Sequence, residues 1–405
     1  MTASPETDPD ALAASADDFA LADEFALATL TPLLPLLIGQ IEAAGGRITF
    51  AEFMADALGH PEHGYYSRAG LQWGRDGDYE TSPEVHPIFG YLWARQVLQC
   101  WQRLGEPSAF ALVEVGCGSG AFMRAMLAWL RERAPGCFAA VRPVMLDGHL
   151  NRLADQRAQL AGAGFQVEHA LTSEWLARAE RVTGLVISNE FFDALPVHLV
   201  RREGERLLEQ YVTQEAGALA FADGPLSTPA IEAYFARLGL QPGEGALAEV
   251  GLAASEAMRA ITSKVERGYV LSIDYGYPAR DLYASWRRQG TLMAFRRHSP
   301  QPDPLAEPGR LDLTIHVDFT SLAAAAEGFE AAPLVSQAEA LMALGLVEAL
   351  RTASQRAAAD AQRFAADRRA AEVLCEPEGL GRIRVLALAK GAPLDGLRCL
   401  RPVLA

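Results

Sequence analysis

The sequence predicts an α/β protein built around a doubly wound, mainly parallel sheet. Apolar segments of strand length at 110–115, 141–146, 184–188 and 268–273 alternate with segments of helical pattern. The first of these strands leads into a glycine-rich turn and then the helical segment 121–133. A strand, a glycine turn and a helix in this order form the usual cradle for a nucleotide, so the fold is of the Rossmann type.

The remaining elements are predicted from periodicity and end signals. Helical patterns cover 33–44, 89–104 and 151–160, and Thr49 with Glu52 forms a capping-box signature that opens another helix. Two alanine-rich helical segments, 339–352 and 357–373, precede a last strand at 382–388. The segment at about 225–267 is helical in pattern and interrupts the alternation, which predicts a helical insertion.

Composition excludes several classes of protein. The 405 residues are 50% hydrophobic and carry a formal charge of −15, so a large core is expected and nucleic-acid binding is not. Five cysteines form no CxxC pair, and no His/Cys/Asp cluster has the spacing of a metal site. The apolar stretch 27–41 contains two prolines and is too short to span a membrane, and residues 1–24 form an acidic leader without targeting character. We therefore expect a cytoplasmic protein without metal.

The glycine turn carries the first candidate site. An acid, Glu114, precedes three glycines at alternate positions, in an acid-x-Gly-x-Gly-x-Gly pattern. Glycines let the main chain approach a ligand closely, and an acid at the strand end can bind a cationic amine. The alternative is a tight turn that binds nothing. The candidate cofactor residues of this turn are Glu114, Gly116, Cys117, Gly118 and Gly120. Their spacing resembles motif I of class I S-adenosylmethionine (SAM) methyltransferases, and SAM carries such an amine.

Asp147 is a second candidate because it directly follows the strand at 141–146. An acid at this place in nucleotide folds accepts hydrogen bonds from both ribose hydroxyls. The alternative is the N-cap of the following helix. Both interpretations stay open at this stage.

A third segment makes the resemblance specific. Residues 188–198, Ser-Asn-Glu-Phe-Phe-Asp-Ala-Leu-Pro-Val-His, follow the third strand. Together with 48–54, 60–68, 81–90, 273–277 and 312–320 they resemble the MidA-like family of class I methyltransferases, which includes the mitochondrial complex I assembly factor. The resemblance runs from about residue 33 to the C-terminus. It implies a seven-stranded class I sheet, SAM as cofactor, and protein arginine as the acceptor in the mitochondrial members.

Two departures from the family pattern bear on the substrate. Ser119 stands where many relatives have arginine, and Leu-Asp-Gly-His at 146–149 replaces a more typical Val-Glu-x-Ser. Cofactor binding is compatible with both departures. The identity of the acceptor is left open by them.

The resemblance also divides the sequence into regions. Residues 1–24 are expected to be a flexible leader, 25–107 a helical and loop region that binds substrate, and 108–405 the methyltransferase domain with its insertion. The long loop-like stretch 60–87, rich in glycine, proline, tyrosine and acids, supports a binding role for the second region. Its candidate substrate residues are Tyr65, Tyr66, Ser82 and Glu84. The alternative is a surface wrap whose tyrosines pack on the core.

Candidate catalytic residues follow the third strand. Glu190 and Asp193 suit a guanidinium because carboxylate oxygens match its fork of N–H donors, and Asn189 is expected to hold cofactor or substrate through its amide. The alternatives are a first-turn acid that complements a helix dipole for Glu190 and a salt bridge to a nearby loop for Asp193.

Four residues further along the sequence complete the predicted acceptor pocket: Asp274, Tyr275, His316 and Asp318. A histidine of near-neutral pKa can take the proton that the nucleophile loses. A lone histidine in an apolar segment is more often a core residue, and that interpretation of His316 competes with the catalytic one.

The leading hypothesis is thus a SAM-dependent methyltransferase that acts on protein arginine. A SAM-binding assembly or scaffold factor with little turnover and a small-molecule O- or N-methyltransferase are the alternatives. A nicotinamide oxidoreductase is disfavoured by the glycine spacing. A protein substrate is the expected partner, and the sequence does not indicate an oligomeric state.

Overall fold

A twisted sheet of mixed direction forms the centre of the molecule. The computed structural model describes residues 31–68, 81–356 and 361–401. The predicted leader 1–24 lies outside the described residues, as does the 69–80 part of the predicted binding loop.

The strands are numbered in sequence order. They are β1 (Arg47–Thr49), β2 (Phe110–Val115), β3 (Val141–Asp147), β4 (Glu168–Leu171), β5 (Val182–Asn189), β6 (His198–Glu203), β7 (Arg206–Glu215), β8 (Ala218–Gly224), β9 (Leu247–Val250), β10 (Val265–Asp274), β11 (Gly276–Tyr277), β12 (Met293–Arg296), β13 (Ser299–Gln301), β14 (Asp312–Thr314), β15 (Val317–Asp318), β16 (Glu330–Ala331), β17 (Val335–Ser336) and β18 (Arg384–Lys390).

The α-helices of the described residues are numbered in the same way. They are α1 (Leu34–Ala43), α2 (Phe50–Gly59), α3 (Ser82–Val85), α4 (Ile88–Arg103), α5 (Ala121–Arg133), α6 (Pro135–Ala140), α7 (Leu150–Gly162), α8 (Thr172–Ala177), α9 (Ala230–Leu238), α10 (Leu252–Ser263), α11 (Ala279–Leu282), α12 (Phe319–Ala325), α13 (Gln337–Ala343), α14 (Leu346–Arg356) and α15 (Ala361–Leu374).

The central sheet has the predicted doubly wound topology. Its order is β4-β3-β2-β5-β10-β18, and the short β16 and β17 both pair with the outer side of β18. The strands from β4 to β10 are parallel, whereas β18 runs antiparallel to β10. Because β16 and β17 share one edge, the sheet has seven strand positions, which confirms the predicted class. The carboxyl ends of β2, β3, β5 and β10 meet at one edge.

Two apolar layers cover the faces of this sheet because successive strand residues point to opposite sides. Leu112, Leu185 and Leu271 face a layer that contains Trp93 of α4 and Phe122 of α5. The alternate residues on the same strands face the other layer, which α2 and α10 help to form: Val113, Val186 and Val270. Strands buried on both faces are typical of parallel sheets, and they hold the edge of the sheet in a fixed geometry.

A second, antiparallel sheet was not predicted from the sequence. It has the order β1-β7-β6-β9, with β8 on β7. Strands β6 to β9 lie in the connection between β5 and β10, whereas β1 comes from the N-terminal region. The predicted helical insertion at about 225–267 contains α9 and α10 but also β9 and the first residues of β10. Since β9 has four residues, its strand pattern is too short to stand out beside two helices. The division into domains stays a prediction.

The predicted capping box of Thr49 and Glu52 is present at the start of α2. The Thr49 hydroxyl accepts a bond from the Glu52 N–H at 3.1 Å, and the Glu52 carboxylate accepts one from the Thr49 N–H at 2.8 Å. We expect Thr49→Ala to lower the free energy of unfolding by about 1 kcal/mol, measured by chemical denaturation. Thr49→Ser keeps the hydroxyl and is expected to retain most of that stability; equal losses in both variants would contradict the prediction.

Candidate active site

A cavity of about 950 Å³ opens at the carboxyl edge of β2, β3, β5 and β10. This volume lies at the upper end of the range for small-molecule sites, roughly 300–1,000 Å³. The predicted residues that line it are Tyr66, Glu84, Glu114, Gly116, Cys117, Gly118, Asp147, Asn189, Glu190, Asp193, Tyr275 and His316. The strand ends therefore bring most of the predicted candidates to one place.

The glycine turn forms one wall of this cavity. Gly116, Gly118 and Gly120 have φ values of 70°, 51° and 83°, a region that favours glycine. A Cβ atom at Gly116 would lie 2.8 Å from Cδ2 of Phe191. The N–H groups of Gly116 and Cys117 donate to the carbonyl of Leu146 on the neighbouring strand. The turn is thus pinned to β3 and leaves open main chain beside the cavity.

Glu114 lies under the glycine turn and is 3% exposed. Its Oε2 is buried without a hydrogen-bond partner in the described part of the chain. Burial raises the pKa of this carboxyl well above its ordinary value, and the carboxylates of Glu84 and Asp147 add to the effect. A buried acceptor in this state favours a cationic donor from a ligand.

Asp147 is fixed on the other side of the turn. Its carboxylate accepts bonds from the His149 N–H at 3.1 Å and from Gln156 Nε2 at 3.1 Å. The same Gln156 nitrogen donates to the carbonyl of Gly118 at 2.6 Å. Gln156 therefore ties the end of β3 to the glycine turn, and Asp147 faces the cavity in a defined orientation.

Asn189 and Glu190 form the corner where β5 ends. Asn189 Nδ2 donates to Glu190 Oε1 at 2.9 Å, and the Ser82 N–H donates to the same oxygen at 3.3 Å. Asn189 Oδ1 is buried without a partner among the described residues. Glu190 has φ 49°, which is uncommon outside glycine and costs energy that surrounding contacts must offset. The surrounding fold therefore holds Glu190 in a backbone conformation that this residue type does not favour.

Buried carboxyls gather around this corner. Burial raises the pKa of Glu190 to about 8, with Asp193 next in importance, and raises that of Asp193 well above its ordinary value, with Asp274 and Asp312 contributing. Within the described residues, no Lys, Arg or His forms an ion pair with Glu190 or Asp193. Ionising several neighbouring carboxyls away from water costs free energy unless a cation binds between them.

Asp274 holds the corner from below. Its carboxylate accepts bonds from the N–H groups of Phe191 at 3.1 Å, Phe192 at 2.8 Å and Tyr275 at 2.9 Å. It is fully buried, and that burial raises its pKa to about 7 although the backbone bonds oppose the shift. Asp274 therefore positions the loop after β5.

His316 lines the same cavity. Burial lowers the pKa of its imidazole to about 4, and the positive charges of Arg382 and Arg287 lower it further. Its Nδ1 is buried without a hydrogen-bond partner in the described structure. The rings of Tyr275 and His316 are nearly parallel at 10°, with centroids 6.4 Å apart. The imidazole is therefore neutral at physiological pH.

Comparison with known proteins places the protein in a family. Residues 92–335, more than half of the sequence, match the family described as "Putative S-adenosyl-L-methionine-dependent methyltransferase". The chain belongs to this family. It is a SAM-dependent methyltransferase with the class I fold, as predicted.

Relatives and solved structures agree. The chain is 32% identical over 298 residues to "Protein arginine methyltransferase NDUFAF7 homolog, mitochondrial" of Drosophila melanogaster, covering 68% of this chain and 65% of that protein. It is 29% identical to the human protein arginine methyltransferase NDUFAF7, with 76% and 72% covered. A Burkholderia thailandensis protein crystallised with S-adenosyl-homocysteine is 30% identical, with 98% of both chains covered and a TM-score of 0.82. The chain spans about two thirds of its curated relatives.

The expected cytoplasmic location is wrong, because these curated relatives are named as mitochondrial proteins. Among the described helices, none has the length and hydropathy that a membrane crossing requires. The described residues also contain no group of three or more His, Cys, Asp or Glu side chains suited to a metal ion.

Five predicted residues of this methyltransferase lie outside the cavity lining within the described structure: Tyr65, Ser82, Gly120, Asp274 and Asp318. Gly120 packs toward Leu160 and Met145. Ser82 is buried, and its hydroxyl donates to Gln337 Oε1.

Asp318 and Tyr65 have structural contacts in the described part of the chain, and their predicted contact with substrate stays a prediction. Asp318 caps α12, where its carboxylate accepts bonds from the N–H groups of Thr320 and Ser321. Tyr65 is buried and packs edge-on against Tyr66. Helix capping is a frequent role for an aspartate, and a single sequence does not separate it from ligand binding.

Sequence reasoning missed several polar residues of the cavity wall, among them Asp312, Arg287 and Arg382. Asp312 begins the 312–320 segment that carried the family resemblance, and the Tyr66 hydroxyl donates to its Oδ1 at 3.0 Å. Its position as the first residue of a family-specific segment was a usable signal. Arg287 lies on irregular backbone, and Arg382 ends a short 3₁₀ helix, Leu380–Arg382, just before β18.

The buried acids predict how stability depends on pH. In the unfolded protein Glu190 and Asp274 ionise at ordinary pKa values, whereas the folded values are about 8 and about 7. The folded protein therefore binds more protons between those limits, and its free energy of unfolding decreases as the pH rises through 7 and 8.

Glu190→Gln removes one of these titrations while keeping an acceptor for Asn189. We expect the melting temperature of this variant, relative to the native protein, to rise from about pH 6 to about pH 8 and to level off above that pH in differential scanning calorimetry. If the difference in melting temperature stays constant over this range, the pKa of Glu190 is not raised in the folded protein.

Proposed function

We propose that this methyltransferase transfers a methyl group from SAM to the guanidinium of a protein arginine. The observation that carries the proposal is the set of buried carboxyls at the corner after β5, where Glu190 and Asp193 face the cavity without an ion-pair partner among the described residues. The names of the fly and human relatives support the same acceptor.

The residues beside the glycine turn fit SAM. Glu114 Oε2 and Asn189 Oδ1 are buried acceptors that lack partners in the described structure, and SAM brings a cationic amine to satisfy such acceptors. Asp147, held by its bond from Gln156 and lining the cavity, would accept hydrogen bonds from the ribose hydroxyls of SAM. We assign cofactor binding to Glu114, Gly116, Cys117, Gly118, Asp147 and Asn189, with Gly120 shaping the turn.

The acids serve the acceptor. When bound, SAM supplies a methyl carbon made electrophilic by the adjacent sulfonium. An arginine guanidinium stays protonated in water, so the protein must orient it and promote loss of a proton. Two carboxylates, Glu190 and Asp193, suit its paired N–H groups and leave one nitrogen to face the methyl group. Joining a cation to these buried acids also removes the cost of their mutual repulsion.

Glu190 is better suited than His316 to accept the proton. A general base works best when its pKa is near the operating pH. The pKa of Glu190 is raised to about 8, whereas burial lowers that of His316 to about 4. We assign proton transfer to Glu190, orientation to Asp193, and the neutral wall of the acceptor pocket to His316 and Tyr275.

The 25–107 region contributes to the same cavity, which supports its assignment as a substrate-binding region. Tyr66 and Glu84 line the cavity from this region, and the Ser119 hydroxyl bonds to the Glu84 carboxylate. Ser119, one of the two departures from the family pattern, thus links the glycine turn to α3. Closing the cavity from this side excludes water from the transfer.

The first test is the pH dependence of arginine methylation. Since Glu190 must be ionised to bind the guanidinium, kcat/KM is expected to rise about tenfold per pH unit below 8 and to level above it. In the Glu190→Gln variant kcat should fall at least about 100-fold, which is in the range for loss of a general base. The increase of kcat/KM with pH should also disappear. Methyl transfer from labelled SAM into protein provides the measurement.

Glu132→Gln is the matched control, because its side chain is 71% exposed on α5. It should keep native kinetics. Label found in the low-mass fraction alone would favour a small-molecule acceptor, and partner docking without turnover would favour a scaffold.

A second test concerns the cofactor amine. Glu114→Gln retains the shape of the side chain but removes the charge, so the dissociation constant of S-adenosyl-homocysteine is expected to increase about tenfold or more, the loss of one charge-assisted bond. Isothermal titration measures it, with Glu132→Gln again as control. Unchanged affinity would show that Glu114 does not hold the amine.

A further inference from the structure

Two arginines, Arg287 and Arg382, give the cavity a cationic side. Burial lowers the pKa of the His316 imidazole, and the charges of Arg382 and Arg287 lower it further, so both arginines lie near that ring. The protein has 51 Asp and Glu against 36 Lys and Arg, so carboxylates are plentiful. Even so, neither arginine forms an ion pair with another of the described residues. Two cations without acidic partners in an acidic protein point to an anion supplied from outside.

Arg287 is held in a binding-competent orientation. Its guanidinium carbon lies 4.9 Å from the ring centre of Tyr277 and 4.7 Å from that of Trp286. Stacking on rings uses the faces of a guanidinium and leaves its N–H edge free for a planar carboxylate. Its Nε is buried without a partner in the described structure. An unmet buried donor of this kind is expected to bind an acceptor.

Arg382 adds a second, more exposed charge near His316. Glu376 and Glu378 line the same part of the cavity, but neither pairs with it among the described residues. Arg152, a third arginine of the lining, is committed elsewhere because its Nε donates to the carbonyl of Tyr66. The cationic side therefore consists of Arg287 and Arg382.

Tyr275 lies close to both the cationic side and the acid corner. Burial raises the pKa of its hydroxyl, the charges of Glu190 and Asp193 raise it further, and the charge of Arg382 lowers it. The centroid of the Tyr275 ring lies 6.4 Å from that of His316. Since an extended peptide advances at most about 3.5 Å per residue, one short peptide segment reaches both sides.

We propose that Arg287 and Arg382 determine substrate specificity by binding a carboxylate of the acceptor protein within about three residues of the methylated arginine. The inference rests on the proposed function, because the acid corner must hold the target guanidinium while the arginines hold its acidic neighbour. The carboxylate comes from an Asp or Glu side chain or from the C-terminus of the acceptor, and the two sources share the same chemistry.

The test begins with unfractionated cell extract and SAM carrying a labelled methyl group. Methylated arginines are mapped by mass spectrometry, and peptides around them are synthesised with each nearby Asp or Glu kept or changed to Asn or Gln, and with free or amidated ends. We expect neutralisation of one acid to raise KM about tenfold with kcat within twofold, as for loss of one charge-assisted pair. Sensitivity to amidation instead identifies the C-terminus as the source.

The variants Arg287→Gln and Arg382→Gln, singly and combined, connect this preference to the two arginines. The double variant should methylate the acidic and neutralised peptides with equal KM. Arg382→Glu should reverse the preference toward a peptide with lysine in place of the acid. Arg280→Gln is the matched control, because its side chain is 83% exposed on α11 outside the cavity lining, and it should keep the native preference.

Binding of S-adenosyl-homocysteine checks that each variant is folded and excludes the competing role. An unchanged dissociation constant is expected; a large increase in the arginine variants would overturn the inference, because it would place the arginines on the cofactor. Equal KM for acidic and neutralised peptides with the native enzyme would overturn it while leaving arginine methylation intact. Label confined to small molecules would overturn both proposals.

Discussion

The site depends on one carboxylate at the end of a parallel strand. Asp274 accepts three backbone N–H groups from Phe191, Phe192 and Tyr275, and it thereby joins the loops that follow two neighbouring strands. Glu190 adopts its left-handed backbone beside this junction. Because the sheet buries both faces of these strands, the junction has a rigid support. The positions of the acids follow from that support rather than from pairing with cations.

Much of the sheet edge that lines the cavity could be predicted, because the signals for its strands and its glycine turn are local in the sequence. The strand 110–115, the glycines after it and the helix 121–133 have the same bounds in sequence pattern and structure. A buried parallel strand is a continuous apolar run, and a turn with positive φ favours glycine; both signals are visible in the sequence of the element itself. Topology then places the strand ends together, which brings Glu114, Asp147 and Glu190 to one edge.

The parts that were missed depend on distant contacts. The antiparallel sheet is assembled from segments as far apart as β1 and β7, and its short strand β9 has no clear pattern of its own. Asp318 and Asp274 sit in family-like segments, yet one caps a helix and the other binds backbone. Tertiary packing decides whether an aspartate faces a cavity or caps a helix, and a single sequence does not show that packing.

The contact between Gly116 and Phe191 has a consequence for redesign of the enzyme. A single aromatic ring touches both the glycine turn and the acid corner, with Cδ2 only 2.8 Å from where a Cβ at position 116 would sit. A larger side chain at position 116 or 191 would displace the glycine turn and the acid corner together. Acceptor preference is therefore more safely altered at the outer wall, whereas the ring acts as a spacer that sets the separation between donor and recipient.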